Sequence, residues 1–243
     1  MNVAPRCAAW IGTFLIGASA GVVPAHAQGR APAFDAFVTL SNDYRHRGIS
    51  LLDSGVSWQL GFDYEHASRF FVGAAAANIG YAIEDGRAAR REHVLDFYLG
   101  YGWGERDWAF NVALGVYAYP GFALDYDYEE LRFAASYMNR FFYNASYAPS
   151  MLSSSYSAWN HELGFAQPLR GDFELSAALG RLEASGAIGA GYTHWNAGVS
   201  TVIRRVGVDL RYYDAALEYP SYFGNPDGER WVLSVSYGFA PAR

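Results

Sequence analysis

The chain has 243 residues, of which 51% are hydrophobic and 17% aromatic, and its net charge is −6. No basic block is present, which excludes nucleic acid as an expected partner. The single cysteine, Cys7, lies in a segment expected to be cleaved, which excludes a disulfide framework or a cysteine-ligated metal site in the mature chain. Many aromatic residues and 26 glycines favour strands and turns over helices.

The first 27 residues have the pattern of a secretory signal peptide. Arg6 gives a basic start, residues 8–23 are apolar, and Ala25-His26-Ala27 is a small-x-small cleavage site. The apolar run is shorter than the roughly 20 residues that a spanning helix needs. We therefore expect residues 1–27 to be removed and residues 28–243 to form the mature domain. With no later apolar run of that length, the mature chain can cross a membrane only as strands.

Strand patterns follow along the rest of the chain. From Val56 to Glu65 apolar and polar residues alternate, which predicts a strand with one apolar face and one polar face. The same alternation recurs at residues 95–103, 108–117, 159–165, 173–180, 206–213 and 230–239. Weaker candidates lie at residues 33–43, 70–79, 128–137, 140–148 and 191–203. The alanine-rich segment 70–79 does not fix which of its faces points outward.

The connections between these segments alternate in length. Short connections are predicted at residues 66–69, 104–107, 138–140, 167–172 and 204–205, and long ones at 44–55, 80–91 and 214–228. About twelve strands with short turns on one side are typical of an outer-membrane barrel, with the short turns and both termini periplasmic. The sequence predicts an all-β fold, a transmembrane antiparallel up-and-down β-barrel of about 12 strands.

A soluble β-sandwich or soluble barrel would also show alternating strands. Such a protein buries its large residues inside and exposes polar ones. Here the polar face holds glycine, serine, alanine, asparagine and isolated charges, and aromatics gather near strand ends, as at Trp103 and Trp108. This pattern favours a barrel in the outer membrane that contacts outer-membrane lipids.

One motif and several later strands resemble a known family. The segment Ser41–Ser50, which reads SNDYRHRGIS, resembles the opening signature of the TorF-like porin family of proteobacteria, a family formerly of unknown function. Residues 159–181 and 195–214 are similar to its later strands. The resemblance implies a porin-like barrel but does not indicate which solute it transports. The chain departs from many barrels in that Phe239 is followed by four more residues.

The motif supplies four loop or mouth candidates, namely Tyr44, Arg45, Arg47 and Gly48. The arginines either fold into the mouth or bind anionic lipid headgroups, or else they pair with acids of their own loop. The last interpretation is favoured because loop charges are usually solvated. Gly48 is suited to a backbone angle that other residues avoid.

The polar face supplies the pore-lining candidates. They are Asp63, Glu65, Asp96, Glu130, Arg132, Glu162, Asp209, Arg211 and Arg230. With Asp35 and Glu174, acids outnumber arginines on this face, which predicts an acid-leaning lumen that prefers cations. The alternative is that acids and arginines pair across the lumen and close it, since twelve strands lie between filled and open barrels. The long loops 44–55 and 214–228 are candidates for a gate.

These observations predict a channel for passive diffusion of small solutes or ions, with no cofactor and no metal. A closed barrel with a structural or surface-binding role is the first alternative. A lipid-modifying outer-membrane enzyme is the second, with His161 between Asn160 and Glu162 as the most suggestive cluster. No serine lies within two residues of His161, and neither a phosphate-binding glycine loop nor a metal-ligand spacing is present. An enzyme is therefore not predicted.

Overall fold

The structure is a computed structural model, and it describes residues 33–52, 55–81, 90–122, 125–184, 186, 191–217 and 231–239. The predicted signal peptide, the pore-lining candidate Arg230 and most of the predicted loop 214–228 lie outside the described residues. Nothing in the described part of the chain forms a helix long and apolar enough to cross a membrane.

Twelve strands form one closed antiparallel barrel, as predicted. We number them β1 (Ala33–Ser41), β2 (Ser57–Glu65), β3 (Phe70–Tyr81), β4 (Arg90–Glu105), β5 (Trp108–Ala118), β6 (Tyr128–Tyr137), β7 (Phe141–Ala148), β8 (Ala158–Pro168), β9 (Phe173–Glu183), β10 (Tyr192–Ile203), β11 (Val206–Ala216) and β12 (Trp231–Gly238). Each strand pairs with the next along the chain, and β1 pairs with β12 to close the ring. The prediction of an up-and-down barrel of about twelve strands is confirmed.

The alternating pattern separates an outward apolar face from an inward face of small and polar residues. On β2, Leu60 is 47% exposed while the neighbouring Gln59 is 0% exposed. The same contrast holds on β9, where Leu179 is 57% exposed and Leu182 only 1%. A soluble barrel would show the reverse arrangement, with its large residues inside. The exposed apolar band is the surface that a membrane barrel presents to lipid.

The structure also fixes the faces of β3, which its own sequence left open. Phe70 points outward and is 54% exposed, whereas Phe71 is 6% exposed and faces the interior. Gly73 lies directly below the ring of Tyr98 on β4, where a β-carbon would come within 2.2 Å of Cζ. Residues 73–77 are glycine and alanine, which are too small to determine which face of β3 points inward. The packing of Tyr98 on Gly73 therefore fixes the faces of β3.

Five short turns lie at one end of the barrel, which we call the short-turn rim. They join β2 to β3, β4 to β5, β6 to β7, β8 to β9 and β10 to β11. Since β1 begins and β12 ends at this rim, the remaining connections lie at the opposite, long-loop rim. Those connections contain a 3-10 helix at Met151–Ser153 and two short strands, Arg45–His46 and Ile49–Ser50.

Candidate functional site in the barrel lumen

The first part of the connection between β1 and β2 does not extend into solvent. Its residues Asp43–Leu52, which we call the inward hairpin, fold into the barrel, where Tyr44 is 1% exposed and Arg45 is 5% exposed. The pairs Arg45–Ser50 and His46–Ile49 form a small antiparallel ladder. The amide of Gly80 on β3 donates a 2.8 Å hydrogen bond to the carbonyl of Leu51, which ties the returning chain to the wall.

Asp43 organises the base of the hairpin. One carboxylate oxygen lies 2.7 Å from Nε of Arg45, and the other accepts hydrogen bonds from the hydroxyl of Ser50 at 2.6 Å and from the amide of Tyr44 at 2.8 Å. Burial raises the pKa of Asp43 above its ordinary value, which the hydrogen bond from Ser50 and the charge of Arg45 partly oppose. The charge of Arg45 is thus paired within the hairpin itself.

The tip of the hairpin is a two-residue turn made by Arg47 and Gly48. Their φ angles are 51° and 82°, as in the type I′ turns that join strands most tightly. A β-carbon on Gly48 would lie 2.7 Å from Cβ of His194 on β10 and 3.0 Å from the carbonyl oxygen of Asp214 on β11. Only glycine allows so close an approach, and the tip therefore rests directly on the wall.

Arg47 connects the tip to the opposite side of the ring. Its guanidinium donates to the carboxylate of Glu130 on β6 in a buried ion pair, and it donates to the hydroxyl of Ser146 on β7 at 3.0 Å. In the ring of twelve strands, β7 lies opposite β1. The inward hairpin therefore crosses the whole bore.

Glu130 is shared with a second arginine of the wall. Arg132 forms a bidentate pair with Asp96 on β4, with distances of 2.9 and 2.7 Å, and its Nε lies 3.1 Å from Glu130. Its guanidinium carbon lies 4.7 Å from the ring centre of Tyr117. Gly115 makes room for this arrangement, since a β-carbon there would come within 2.5 Å of the guanidinium.

A separate polar cluster lies on β8 to β11. Arg211 pairs with Asp209 at 3.0 Å and donates to Asn196 and to Ser176, each at 2.7 Å. Close by, the Nε2 atom of His194 lies 3.1 Å from the amide oxygen of Asn160. Each of these groups has a polar partner, so this side of the wall is held by hydrogen bonds.

An apolar layer fills the lumen above the charged clusters, towards the long-loop rim. Tyr44, Ile49 and Leu52 of the hairpin belong to a buried cluster with inward residues of the wall, among them Ile79, Val94, Tyr117, Tyr128, Leu182 and Tyr192. The alternation of the strands does not predict this layer. Alternation predicts that Tyr117 lies on the inward face. It does not predict that Tyr117 belongs to one apolar cluster with residues of the hairpin.

Several buried side chains of the wall have no hydrogen-bond partner among the described residues. The side-chain amide nitrogen and oxygen of Gln59 and of Asn111 have no such partner, and neither does the hydroxyl of Ser234. Buried polar groups are nearly always satisfied by protein or by water. The side chains of Gln59 and Asn111 are therefore able to hydrogen bond with a molecule that enters the lumen.

The structure places the predicted pore-lining residues that it describes on the inward face. They are Asp63, Glu65, Asp96, Glu130, Arg132, Glu162, Asp209 and Arg211. Asp63 accepts a hydrogen bond from the hydroxyl of Tyr98, and the side-chain amide of Asn144 lies 3.5 Å from Glu162. The hairpin adds Arg45, Arg47 and Asp43 to this lumen, a net of one positive charge, which offsets part of the acidic excess counted from the strands alone.

The four loop or mouth candidates lie deep in the lumen instead of at the mouth. Tyr44 is part of the apolar layer, and Gly48 touches the wall at β10 and β11. The interpretation that both arginines pair with acids of their own loop holds for Arg45 alone, because Arg47 pairs with Glu130 of β6. That interpretation rests on the rule that loop charges are usually solvated. No local pattern indicates the partner of Arg47, because Glu130 lies 83 residues away in the sequence.

His161, the residue on which the enzymatic alternative rested, faces outward. Its Nδ1 atom lies 2.8 Å from the hydroxyl of Tyr143, and its ring stacks on Trp159 with centres 5.8 Å apart. No serine or carboxylate is among these contacts. Across the described ranges, no group of histidine, cysteine, aspartate or glutamate residues is placed to hold a metal ion.

Comparisons with known proteins agree with this geometry. The family described as "Bacterial protein of unknown function (Gcw_chp)" matches residues 26–237. No curated protein sequence matches the chain. Among solved structures, KdgM porin is similar with a TM-score of 0.53 and 8% identity, over 86% of this chain and 99% of that one. KdgM porin in complex with disordered oligogalacturonate gives a TM-score of 0.52 with the same identity and coverage. These similarities show a shared barrel fold.

Proposed function

The chain belongs to a family of bacterial proteins of unknown function (Gcw_chp), and we propose that it is an outer-membrane channel of porin type whose bore is closed by the inward hairpin and opens when the hairpin leaves it. The solutes are small hydrophilic molecules or ions that diffuse passively. A closed barrel with an exposed apolar belt satisfies all backbone groups in lipid, which supports a place in the outer membrane.

The observation that carries the proposal is the course of residues Asp43–Leu52 across the bore. The tip is held on the far side by one ion pair, Arg47 with Glu130, and by one hydrogen bond to Ser146. If the hairpin moves, water can replace both the ion pair and the hydrogen bond of Arg47. Glu130 keeps Arg132 as a partner when Arg47 departs. Because Arg132 also pairs with Asp96, release leaves one net negative charge in this cluster of the wall.

The apolar contacts of the hairpin favour the closed state. Tyr44, Ile49 and Leu52 are nearly fully buried, and burying apolar surface contributes about 25 cal/mol per Å². A hairpin held by such contacts opens rarely without a stimulus. This supports a gated pathway over a permanently open bore.

Release of the hairpin would also change the charge of the bore. Arg45, Arg47 and Asp43 leave with it, so the bore loses one net positive charge. The described wall keeps five acids against two arginines, namely Asp63, Asp96, Glu130, Glu162 and Asp209 against Arg132 and Arg211. Fixed charges in a narrow pore select permeant ions by sign. We therefore expect the open channel to prefer cations.

The decisive experiment is single-channel conductance in a planar bilayer, comparing the full mature chain with a variant in which residues 45–50 are replaced by two glycines. We expect rare, brief openings from the first and long-lived, cation-selective steps from the second. Glu129→Gln is the matched control, since Glu129 neighbours Glu130 but is exposed on the outward face, and it should behave as the parent does.

The alternative that the geometry also favours is a closed structural barrel. Its supporting observation is that each of the four lumenal arginines in the described residues has a carboxylate partner, namely Arg45, Arg47, Arg132 and Arg211. A hairpin-shortened variant that folds, shows heat-dependent mobility in detergent gels and never conducts would overturn the channel and leave this alternative.

A further inference from the structure

Arginine occurs in every one of the five turns of the short-turn rim. The residues are Arg69, Arg106, Arg140, Arg170 and the pair Arg204-Arg205, in turn order. Successive turns lie two strands apart around the ring, so the guanidinium groups surround the barrel at one level. Two acids lie in the turns, namely Asp107 and Asp172, and Glu65 and Glu105 end the strands that lead into two of them. The chain as a whole is acidic, with a net charge of −6, so a basic rim is a local feature.

These six arginines differ from the arginines of the lumen in having no partners. None of them forms an ion pair or a side-chain hydrogen bond with any residue that the structure describes. Arg69 is half-buried and the other five are exposed. Their charges are therefore available to a ligand outside the chain.

The backbone at three of these positions gives independent support. Arg69, Arg106 and Arg204 have φ angles of 71°, 55° and 61°, in the left-handed region that costs a residue with a side chain about 1–2 kcal/mol. Glycine, asparagine and aspartate are the usual residues there. The turn backbone therefore does not by itself favour arginine at these three sites.

Each turn also places a large apolar side chain beside the charge, on the outward face. Phe70 is 54% exposed, Trp108 47%, Phe141 59%, Phe173 51% and Ile203 64%. Aromatic belts mark the depth at which a bilayer meets water, and long basic side chains reach the headgroups from that depth. The rim therefore combines an apolar anchor and a cation at the level of lipid phosphates.

We propose that the short-turn rim is a binding surface for anionic phospholipids, with the turn arginines holding headgroup phosphates around the barrel. Arginine donates to phosphate oxygens through two parallel N–H groups, which makes it suited to this ligand. With the short turns facing the periplasm, the ligands belong to the inner leaflet of the outer membrane. The inference does not depend on whether the barrel conducts.

The test measures lipid selectivity of the full mature chain in phosphatidylcholine bilayers. Spin-labelled phosphatidylglycerol and spin-labelled phosphatidylcholine are compared by the fraction that the protein immobilises. A contribution of roughly one kilocalorie per basic residue near a charged surface corresponds to about a fivefold preference for phosphatidylglycerol. We expect this preference in the parent protein, and we expect it to fall with added salt.

A rim-neutral variant makes the test specific. Asparagine replaces Arg69, Arg106 and Arg204, because asparagine accepts the left-handed backbone, and glutamine replaces Arg140, Arg170 and Arg205. We expect equal immobilisation of the two lipids. Glu105→Gln with Asp107→Asn and Asp172→Asn serves as the matched control and should keep or increase the preference. Heat-dependent gel mobility reports folding of each variant. A parent protein without preference, or a folded rim-neutral variant that retains it, would overturn the proposal.

Discussion

Arg47 forms a buried ion pair with Glu130, which lies 83 residues later in the chain and on the opposite side of the barrel. The pair joins the loop between β1 and β2 to β6, a strand with which neither β1 nor β2 is paired. Because Glu130 also contacts Arg132, Glu130 keeps one cationic partner when Arg47 is removed. We therefore expect that the inward hairpin can leave the bore while the barrel stays folded.

Substituting Arg47→Ala should release the hairpin without unfolding the barrel. Loss of the ion pair and of the Ser146 hydrogen bond removes both polar contacts of the guanidinium. Trypsin cleavage after Arg45 provides the measurement, since Arg45 is 5% exposed in the closed state. We expect cleavage at least about ten times faster than in the parent, which corresponds to a loss of roughly 1.4 kcal/mol.

Arg181→Gln is the control for that substitution, because Arg181 is exposed and donates only a 3.4 Å hydrogen bond to Thr193. It should leave cleavage after Arg45 unchanged. Equal protection of Arg45 in the parent and in Arg47→Ala would show that the apolar contacts alone hold the hairpin.

Gly48→Ala should also displace the hairpin, through sterics instead of charge. The new β-carbon would meet Cβ of His194 at 2.7 Å, and such overpacking costs typically about 1–3 kcal/mol. Gly171→Ala is a matched control: Gly171 has a similar φ of 73°, but a β-carbon there meets nothing closer than 3.9 Å. Only Gly48→Ala should raise the rate of trypsin cleavage after Arg45. The same increase in both variants would point to backbone strain in general.

The strands could be predicted from the sequence, whereas the inward hairpin could not. Residues such as Leu60 and Gln59 differ in exposure because strands alternate with a period of two, and that rule is local. The course of Asp43–Leu52 depends on contacts with Glu130, His194 and the carbonyl of Asp214, and no local pattern encodes a contact across the bore. For the same reason the motif at residues 41–50 was recognisable as a sequence without revealing where it lies.

Arg132→Met should destabilise the barrel itself. The substitution removes the partner of Asp96 and leaves that buried carboxylate without its bidentate pair, a loss that typically costs about 3–5 kcal/mol. Urea unfolding from liposomes gives the measurement, with a lower midpoint expected. Adding Asp96→Asn to Arg132→Met should recover part of the loss, since no uncompensated charge then remains. A double variant as unstable as the single one would assign the effect to lost packing on Tyr117.

Acidification should favour release of the hairpin through His46. Burial lowers the pKa of His46 from 6.5 to about 3, with the charge of Arg47 as the next cause. The ring lies 6.0 Å from that of Tyr117, and Glu130, Arg132 and His194 are the other ionisable groups that act on it. In the released hairpin His46 is exposed to water and takes its ordinary pKa.

The sign follows from the two pKa values. Below pH 6.5 His46 binds a proton in the released state but stays neutral in the closed state. The closed state therefore loses stability relative to the released state as the pH falls towards 3. Above pH 6.5 His46 contributes no difference. At pH 5 the loss is about 2 kcal/mol, or roughly thirtyfold in the open population. Asp43 acts in the opposite direction, because burial raises its pKa and a proton on it favours the closed state.

Open probability in bilayers should therefore rise between pH 7.5 and 5 in the parent and change much less in His46→Gln. An unchanged parent, or a His46→Gln variant that keeps the full rise, would exclude His46 as the titrating group.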